Sequence, residues 1–200
     1  IQTLKRKPDD PATVSRYLDL LGQGVERIKN TVQQLLKIGR KEPLALQRGQ
    51  VDEMIRECLE LTCMGRRDIE LETNLEAPAP VLINMEALRQ VVVNLAGNAV
   101  QAMKDAGGTL FVSSGIAEET LVIRVADSGP GIAPEHLDQI FEPFFTTKAV
   151  GEGTGLGLSV SYSLVEQMGG ELTAGNRPEG GALFTVTIPL QQEDLPAGDH

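Results

Sequence analysis

The sequence predicts an α+β protein in which helices cover one face of a mixed, mainly antiparallel sheet, preceded by a separate helical segment. Three observations lead to this fold class. From about residue 50 to residue 190, segments that alternate apolar and polar residues are interleaved with segments that carry a helical apolar stripe. Several of the predicted strands are joined by hairpin-length connections, which favour antiparallel neighbours. Before residue 48, the apolar residues follow a heptad-like repeat instead.

The N-terminal segment, residues 1–48, is predicted to be part of a helical hairpin. Asp10-Pro11 is a helix-start signal, and residues 1–7 resemble the last turns of a preceding helix. Apolar residues then recur at alternating spacings of four and three, at Val14, Leu18, Leu21, Val25, Ile28, Val32 and Leu35. The repeat favours a bundle formed by two copies of the chain, and an ordinary amphipathic helix packed on its own domain is the alternative.

The second domain is predicted at residues 49–192, after a linker around Pro43, with a disordered tail at 193–200. Its elements follow from periodicity, glycine and proline. We expect helices at 50–62, 85–106 and 158–168, and strands at 69–74, 109–114, 121–126, 171–174 and 182–189.

Charge is unevenly distributed between the two segments. The net charge is -10, yet residues 1–48 hold ten Lys and Arg against five Asp and Glu, leaving eight against 23 in the remainder. An acidic domain repels a phosphate backbone, so no nucleic-acid partner is expected. A nucleotide would have to be held by backbone amides, a metal ion and one or two placed cations.

Cysteine and hydropathy patterns point to an intracellular protein. Cys58 and Cys63 match neither a CxxC pair nor a zinc-ligand spacing, and we expect them to be small core residues. No apolar run approaches the ~20 residues of a membrane span. The sequence therefore predicts no membrane contact by this segment and a cytoplasmic location, which is compatible with a membrane anchor elsewhere in the complete protein.

Asn94 and Asn98 lie four residues apart in an otherwise apolar helix. Because a buried amide is costly without a partner, two of them on one helix face should meet something polar. They either brace a loop or provide oxygen ligands of the type that Mg²⁺ prefers.

Two further segments carry glycine beside polar groups. Asp127 ends a predicted strand and begins Asp-Ser-Gly-Pro-Gly, which is either a plain turn or a carboxylate placed to accept a hydrogen bond from an exocyclic amine. Residues 151–157 (GEGTGLG) lead into a helix, where free amides and the helix dipole suit a phosphate. Neither a Rossmann fingerprint nor a Walker loop fits this stretch.

The order of these motifs, with FEPFFTTK at residues 141–148 between the last two, resembles the ATP-binding domain of sensor histidine kinases. The resemblance covers roughly residues 50–190. NLAGNAVQAM and FEPFFTTK are similar to the nitrogen-regulation type of these kinases.

The resemblance implies a two-layer Bergerat-type α/β sandwich that binds ATP and Mg²⁺. Asn98 would hold the metal ion with Asn94 supporting it, and Asp127 would recognise the adenine amine. Lys148 would lie near the γ-phosphate. The remaining implied nucleotide-binding positions are Gly129 and Gly131 beside the base, Gly153, Thr154, Gly155, Leu156 and Gly157 around the phosphates, and Thr185 in the adenine pocket. Residues 132–153 would form a mobile lid, in which Phe141, Phe144 and Phe145 pack when it closes on ATP.

The implied activity is transfer of the γ-phosphoryl group of ATP to a histidine, and onward to an aspartate of a response-regulator receiver domain. In such kinases the histidine lies on a hairpin that dimerises, so residues 11–38 would form a homodimer. His136 and His200 both lack the His-Glu-x-x-x-Pro setting of the acceptor. The acceptor is therefore expected upstream of Ile1, and this segment is not expected to phosphorylate itself.

Two departures from the pattern bear on the chemistry. Gln101 stands where many relatives have a lysine or arginine that touches phosphate, so Lys104 or Lys148 would have to compensate. ATP-hydrolysing relatives, such as gyrase and the heat-shock chaperones, have a glutamate four residues before the metal-binding asparagine. Asn94 stands there, and an amide cannot act as a general base for water.

Two competing functions remain compatible with the sequence. One is a serine kinase or switch protein of the same superfamily, against which the heptad segment argues. The other is a scaffold that has lost nucleotide binding, against which the complete glycine motifs and both asparagines argue.

Overall fold

The computed structural model describes residues 45–77, 79–148 and 153–190, together with residues 14, 15, 17–19, 21 and 22. The chain divides into two compact units, Ile1–Gly39 and Arg40–His200. The described residues of the first unit are all helical. The remainder of the heptad segment and the predicted tail at 193–200 lie outside the described residues. The predicted domain boundary near residue 48 is later than the division between the units and falls inside the first strand of the second unit.

Helices and pairs of strands are interleaved along the second unit. In order they are β1 (Gln47–Gly49), α1 (Val51–Cys63), β2 (Ile69–Glu76), β3 (Val81–Ile83), α2 (Met85–Ala102), β4 (Gly108–Ala117), β5 (Thr120–Asp127), a 3-10 helix (Pro134–His136), α3 (Gly157–Gln167), β6 (Glu171–Asn176) and β7 (Ala182–Pro189).

Five strands form the main sheet, in the order β2-β4-β5-β7-β6. β2 and β4 are parallel, and the other three pairs are antiparallel. The predicted mixed, mainly antiparallel sheet is therefore confirmed. β1 and β3 form a second, two-stranded antiparallel sheet.

The core lies between the helices and one face of the main sheet. The three central strands, β4, β5 and β7, bury alternate residues, as a sheet with a single covered face should. On the sheet side the buried residues include Leu110, Val112, Leu121, Ile123, Val125, Phe184, Val186 and Ile188. On the helix side they include Ile55, Leu59, Leu88, Val91, Leu95, Val160 and Val165. α2 packs against β5, while α3 packs against β6 and β7. This arrangement is the predicted two-layer α/β sandwich.

A buried carboxylate ties α1 to the sheet. Asp52 is 3% exposed, and its Oδ2 accepts a hydrogen bond from the Ala77 backbone N–H at 3.0 Å. The Ser114 hydroxyl of β4 donates to the other oxygen, Oδ1. Both oxygens have polar partners, which offsets the cost of burying the charge. Asp52 is a structural residue that the sequence patterns did not single out.

α2 is shorter than predicted and ends at Ala102 instead of residue 106. The chain turns because Gly107, at φ +69°, adopts a conformation that favours glycine. The Gly108 N–H then donates to the Asp68 carbonyl at 3.0 Å, which aligns β4 beside β2. None of the helices in the described ranges combines the length and the apolar character needed to cross a membrane.

Candidate functional site

One flank of α2 meets three of the predicted motifs. Asn94, Asn98 and Ala102 are spaced by four residues and therefore form one stripe of the helix, rising about 6 Å at each step. Asn94 contacts the start of α3, Asn98 contacts the end of the FEPFFTTK motif, and Ala102 lies against the turn that follows β5. Motifs far apart in sequence thus meet along a single helix.

Asn94 braces α2 against the N-terminus of α3. Its Nδ2 donates to the Gly157 carbonyl at 3.1 Å and to the Ser161 hydroxyl oxygen at 3.1 Å. Its Oδ1 accepts a hydrogen bond from Gln90 Nε2 at 3.1 Å. Of the two interpretations left open by the sequence, these contacts favour the bracing of a loop for Asn94.

Replacing Asn94 with alanine should therefore lower the free energy of unfolding by about 1–3 kcal/mol, since two polar groups of α3 lose a partner. Urea denaturation of wild type and Asn94→Ala measures this difference. Asn98→Ala is the matched control, because the contact of its amide with Lys148 is longer and half-exposed. Equal destabilisation by both variants would contradict the bracing role.

Asn98 and Lys148 contact each other, with 3.4 Å between Asn98 Oδ1 and Lys148 Nζ. The Lys148 backbone N–H donates to Thr146 Oγ1 at 3.2 Å, which orients the end of this motif. Gly153 packs against both Thr146 and Lys148. Lys148, one of the two lysines expected to compensate for Gln101, thus lies at the Asn98 amide.

Asp127 is the last residue of β5 and is 2% exposed. Its Oδ1 accepts hydrogen bonds from the backbone N–H groups of Gly129 at 2.8 Å and Ala182 at 3.2 Å. Burial raises the pKa of the Asp127 carboxyl; the hydrogen bonds from Ala182 and Gly129 and the charge of Arg177 oppose this rise. Both side-chain hydrogen bonds described at Asp127 go to Oδ1, so Oδ2 is the oxygen available to an incoming donor.

The glycine-rich loop leads into α3 without a side-chain cap on the helix. Gly151 and Glu152 lie outside the described residues. Thr154 Oγ1 accepts a hydrogen bond from the Leu156 N–H at 3.3 Å, and the Leu156 side chain is fully buried. α3 then begins at Gly157, and its N-cap makes no side-chain hydrogen bond. The first amides of the helix have no intrahelical acceptors, so this end suits an anion.

The aromatic residues of the predicted lid pack locally. Phe141 contacts Tyr162 of α3, and Phe145 contacts His136, with ring centroids 5.3 Å apart in each pair. Phe144 is 60% exposed. Its N–H donates to the Gly155 carbonyl at 2.9 Å, which joins this segment to the glycine-rich loop. His136 is therefore partly buried against the Phe145 ring, and His200 lies outside the described residues.

Thr185 does not lie on the same face of the sheet as Asp127. In β7, Phe184 and Val186 are buried towards the helices, so Thr185 faces the opposite side of the sheet. It pairs there with Arg124, whereas Asp127 lies on the helix side. The residue of β7 that reaches Asp127 is Ala182, through its backbone N–H.

The described residues offer no conventional metal-binding cluster. Within the described ranges, no group of three or more His, Cys, Asp or Glu side chains is placed to hold a metal ion. Cys58 is buried as predicted, whereas Cys63 is only partly buried. Burial raises the pKa of both thiols.

Residues 84–192 match the family described as histidine kinase-, DNA gyrase B-, and HSP90-like ATPases. The matched span runs from the N-cap of α2 through β7 and includes every site residue described above. The chain belongs to this family.

Similar proteins include sensor histidine kinases. The sensor histidine kinase ZraS of Escherichia coli strain K12 is 35% identical over 174 residues, which are 86% of this chain and 37% of ZraS. The full-length ShkA structure in complex with AMPPNP superposes with a TM-score of 0.78 at 27% identity, covering 92% of this chain and 40% of ShkA. Histidine kinase ThkA in complex with the response regulator protein TrrA gives a TM-score of 0.76 at 27% identity, covering 95% of this chain and 55% of that chain. The chain thus spans well under half the length of ZraS.

Proposed function

We propose that the second unit binds ATP together with Mg²⁺ and supplies the phosphoryl group that a sensor histidine kinase transfers to a histidine. The observation that carries this proposal is the stripe of α2 that connects the start of α3, Lys148 and the Asp127 turn. An anion site, a cation and a buried carboxylate are the groups that phosphate and adenine require, and they occur here in one order along a helix. Membership of the ATPase family supports the same assignment.

The base would bind beside Asp127. Its carboxylate accepts two backbone hydrogen bonds on Oδ1, and Oδ2 would accept a third from the adenine amine. Burial strengthens a charge-assisted hydrogen bond, because little water competes for the carboxylate. Gly129 and Gly131 would leave space for the ring.

The phosphates would bind at the start of α3, where amide groups and the helix dipole favour negative charge. Gly153, Thr154, Gly155, Leu156 and Gly157 would surround them, and Lys148 would contact the γ-phosphate. An acidic domain needs such local devices, since its overall charge repels the ligand.

Asn98 would hold the Mg²⁺ ion. Its amide oxygen is a neutral, hard ligand of the type that Mg²⁺ accepts, and it already contacts a cation, the Lys148 ammonium. No carboxylate cluster stands beside it among the described residues, so the phosphates of the nucleotide would complete the coordination. When bound, the metal ion would neutralise phosphate charge. Lys148 would then release Asn98 and turn towards phosphate.

Transfer to a histidine is favoured over hydrolysis. The position from which a glutamate activates water in hydrolysing relatives is Asn94, whose amide is fully engaged with Gln90, Gly157 and Ser161. An amide cannot act as a general base for water. The role of the chain in the transfer would be positioning and charge stabilisation.

The partners would be those of a two-component kinase. ThkA has been solved in complex with a response regulator protein. We propose that this protein also meets a response regulator and passes its phosphoryl group to an aspartate of the receiver domain. The acceptor histidine would lie on a dimerising hairpin to which residues 11–38 belong. Assignment to the nitrogen-regulation subgroup stays a prediction.

Incubation of the complete protein with ATP labelled at the γ-phosphate tests this function. We expect an acid-labile, alkali-stable phosphoprotein in the wild type and none in Asn98→Ala. An acid-stable label would indicate a serine kinase instead, and the absence of any label would contradict the kinase assignment.

A further inference from the structure

The turn between β6 and β7 holds the loop that follows Asp127. Asn176, the last residue of β6, makes two hydrogen bonds with the backbone of Ile132. Its Oδ1 accepts from the Ile132 N–H at 2.7 Å, and its Nδ2 donates to the Ile132 carbonyl at 2.7 Å. One side chain therefore pairs with both backbone groups of a residue 44 positions away. A neighbouring β-strand would satisfy the same N–H and C=O groups, so Asn176 fixes the backbone of Ile132 in a similar way.

Residues of the same turn also form hydrogen bonds with Asp127, at the other end of this loop. The Ala182 N–H donates to Asp127 Oδ1, and Arg177 Nη1 donates to the Asp127 carbonyl at 3.3 Å. The Arg177 guanidinium is held in turn by the ring of Phe111, 4.0 Å from its centroid. Gly181, at φ +90°, approaches so closely that an added Cβ would overlap the Asp127 carbonyl oxygen.

We call the contacts of Asn176, Arg177 and Ala182 with the segment from Asp127 to Ile132 the clamp. The clamp explains why residue 131 is a glycine. Gly131 adopts φ +77°, and a Cβ at this position would lie 2.7 Å from Asn176 Oδ1. The glycine is therefore required by the close approach of Asn176, in addition to any space that a base would need. Asn176, Gly131 and Ile132 form one unit at the start of the segment that was expected to be a lid.

We propose that Asn176 is a positioning residue for base recognition, which fixes Gly129 to Ile132 so that Asp127 presents Oδ2 to the adenine amine. This inference rests on the proposed nucleotide site. The Gly129 N–H is one of the two donors on Asp127 Oδ1, so movement of the loop disturbs the orientation of the carboxylate. Asn176 needs no contact with the nucleotide to act in this way.

Asn176→Ala should reduce ADP affinity about tenfold, because the loop loses two hydrogen bonds that hold it in place. It should change the affinity for inosine diphosphate less than about twofold, since inosine lacks the amine and binds mainly through its phosphates. Competition titrations with both nucleotides measure the adenine preference. Asn74→Ala, at an exposed position of β2, is the control and should leave the preference unchanged.

A merely structural role would weaken both nucleotides equally, and that result would overturn the proposal. The Gly131→Ala substitution provides a second test, because its clash exists only while Asn176 is present. Its effect on ADP affinity should be smaller in the Asn176→Ala background than in wild type, although the strain of a positive φ remains in both. If the effects of Gly131→Ala and Asn176→Ala on the free energy of ADP binding were fully additive, that result would also contradict the proposal.

Amide hydrogen exchange separates this inference from the proposed function. Exchange at Ile132 should accelerate in Asn176→Ala without any nucleotide present. If wild type fails to bind ADP while this acceleration is seen, the nucleotide assignment fails and the clamp stands. If wild type binds ADP and Ile132 exchange and base preference are unchanged, the positioning role fails alone.

Discussion

Asp127→Asn should raise the dissociation constant for ADP roughly 5- to 150-fold, the equivalent of about 1–3 kcal/mol. The substituted amide can keep an oxygen towards the N–H groups of Gly129 and Ala182, so the turn should remain folded. The other position then carries an NH₂ group, which faces the adenine amine as a second donor. Calorimetric titration with ADP measures the loss.

The base preference of this variant is the sharper readout. Inosine diphosphate offers a carbonyl oxygen where adenine has its amine, so it should gain affinity in Asp127→Asn while ADP loses it. Asp68→Asn, at an exposed aspartate paired with Arg66, is the control and should leave both affinities unchanged. Equal ADP affinity in Asp127→Asn and wild type would contradict the assignment of Asp127 to adenine recognition.

Asn98→Ala should remove most of the dependence of nucleotide binding on Mg²⁺. Loss of a group that supports a bound metal commonly costs about 10- to 100-fold in metal affinity, and loss of a direct ligand should cost at least as much. Titrations with ADP, with and without Mg²⁺, should therefore differ strongly in wild type and little in the variant.

Asn94→Ala is the matched comparison for this experiment. Because Asn94 contacts the start of α3, its loss should weaken ADP binding by a similar factor with and without Mg²⁺. A variant at Asn98 that retained the full effect of Mg²⁺ would show that the metal is held elsewhere.

Periodicity in the sequence was sufficient to predict the helices and strands that form the core. The stripes of α1, α2 and α3 and the alternation of β4, β5 and β7 are local signals of burial, and each produced an element close to its predicted range. β1 and β3 were missed because each has three residues, too few to display alternation. They exist because they pair with each other, and pairing between distant segments leaves no local pattern.

The residues of the candidate site also fall into those that the sequence could predict and those that it could not. Asn98, Lys148 and Asp127 belong to recognisable motifs and could be selected from the sequence, whereas the contact between Asn98 and Lys148 could not. Asn176 and Ala182 were missed because Asn176 bonds to the backbone of Ile132, while Ala182 acts on Asp127 only through its own backbone N–H, and no motif marks such contacts.

Thr185 shows where an available signal was overlooked. The alternation in residues 182–189 (ALFTVTIP) places it opposite Phe184 and Val186, and therefore away from the helices and from Asp127. The parity of a strand should be checked before a polar residue on it is assigned to a pocket.

Titration of this chain with ADP, with and without Mg²⁺, tests the central claim most directly. The nucleotide site described here predicts micromolar binding that Mg²⁺ strengthens. The absence of binding at millimolar ADP would contradict it and would favour a scaffold that has kept the fold and lost the ligand.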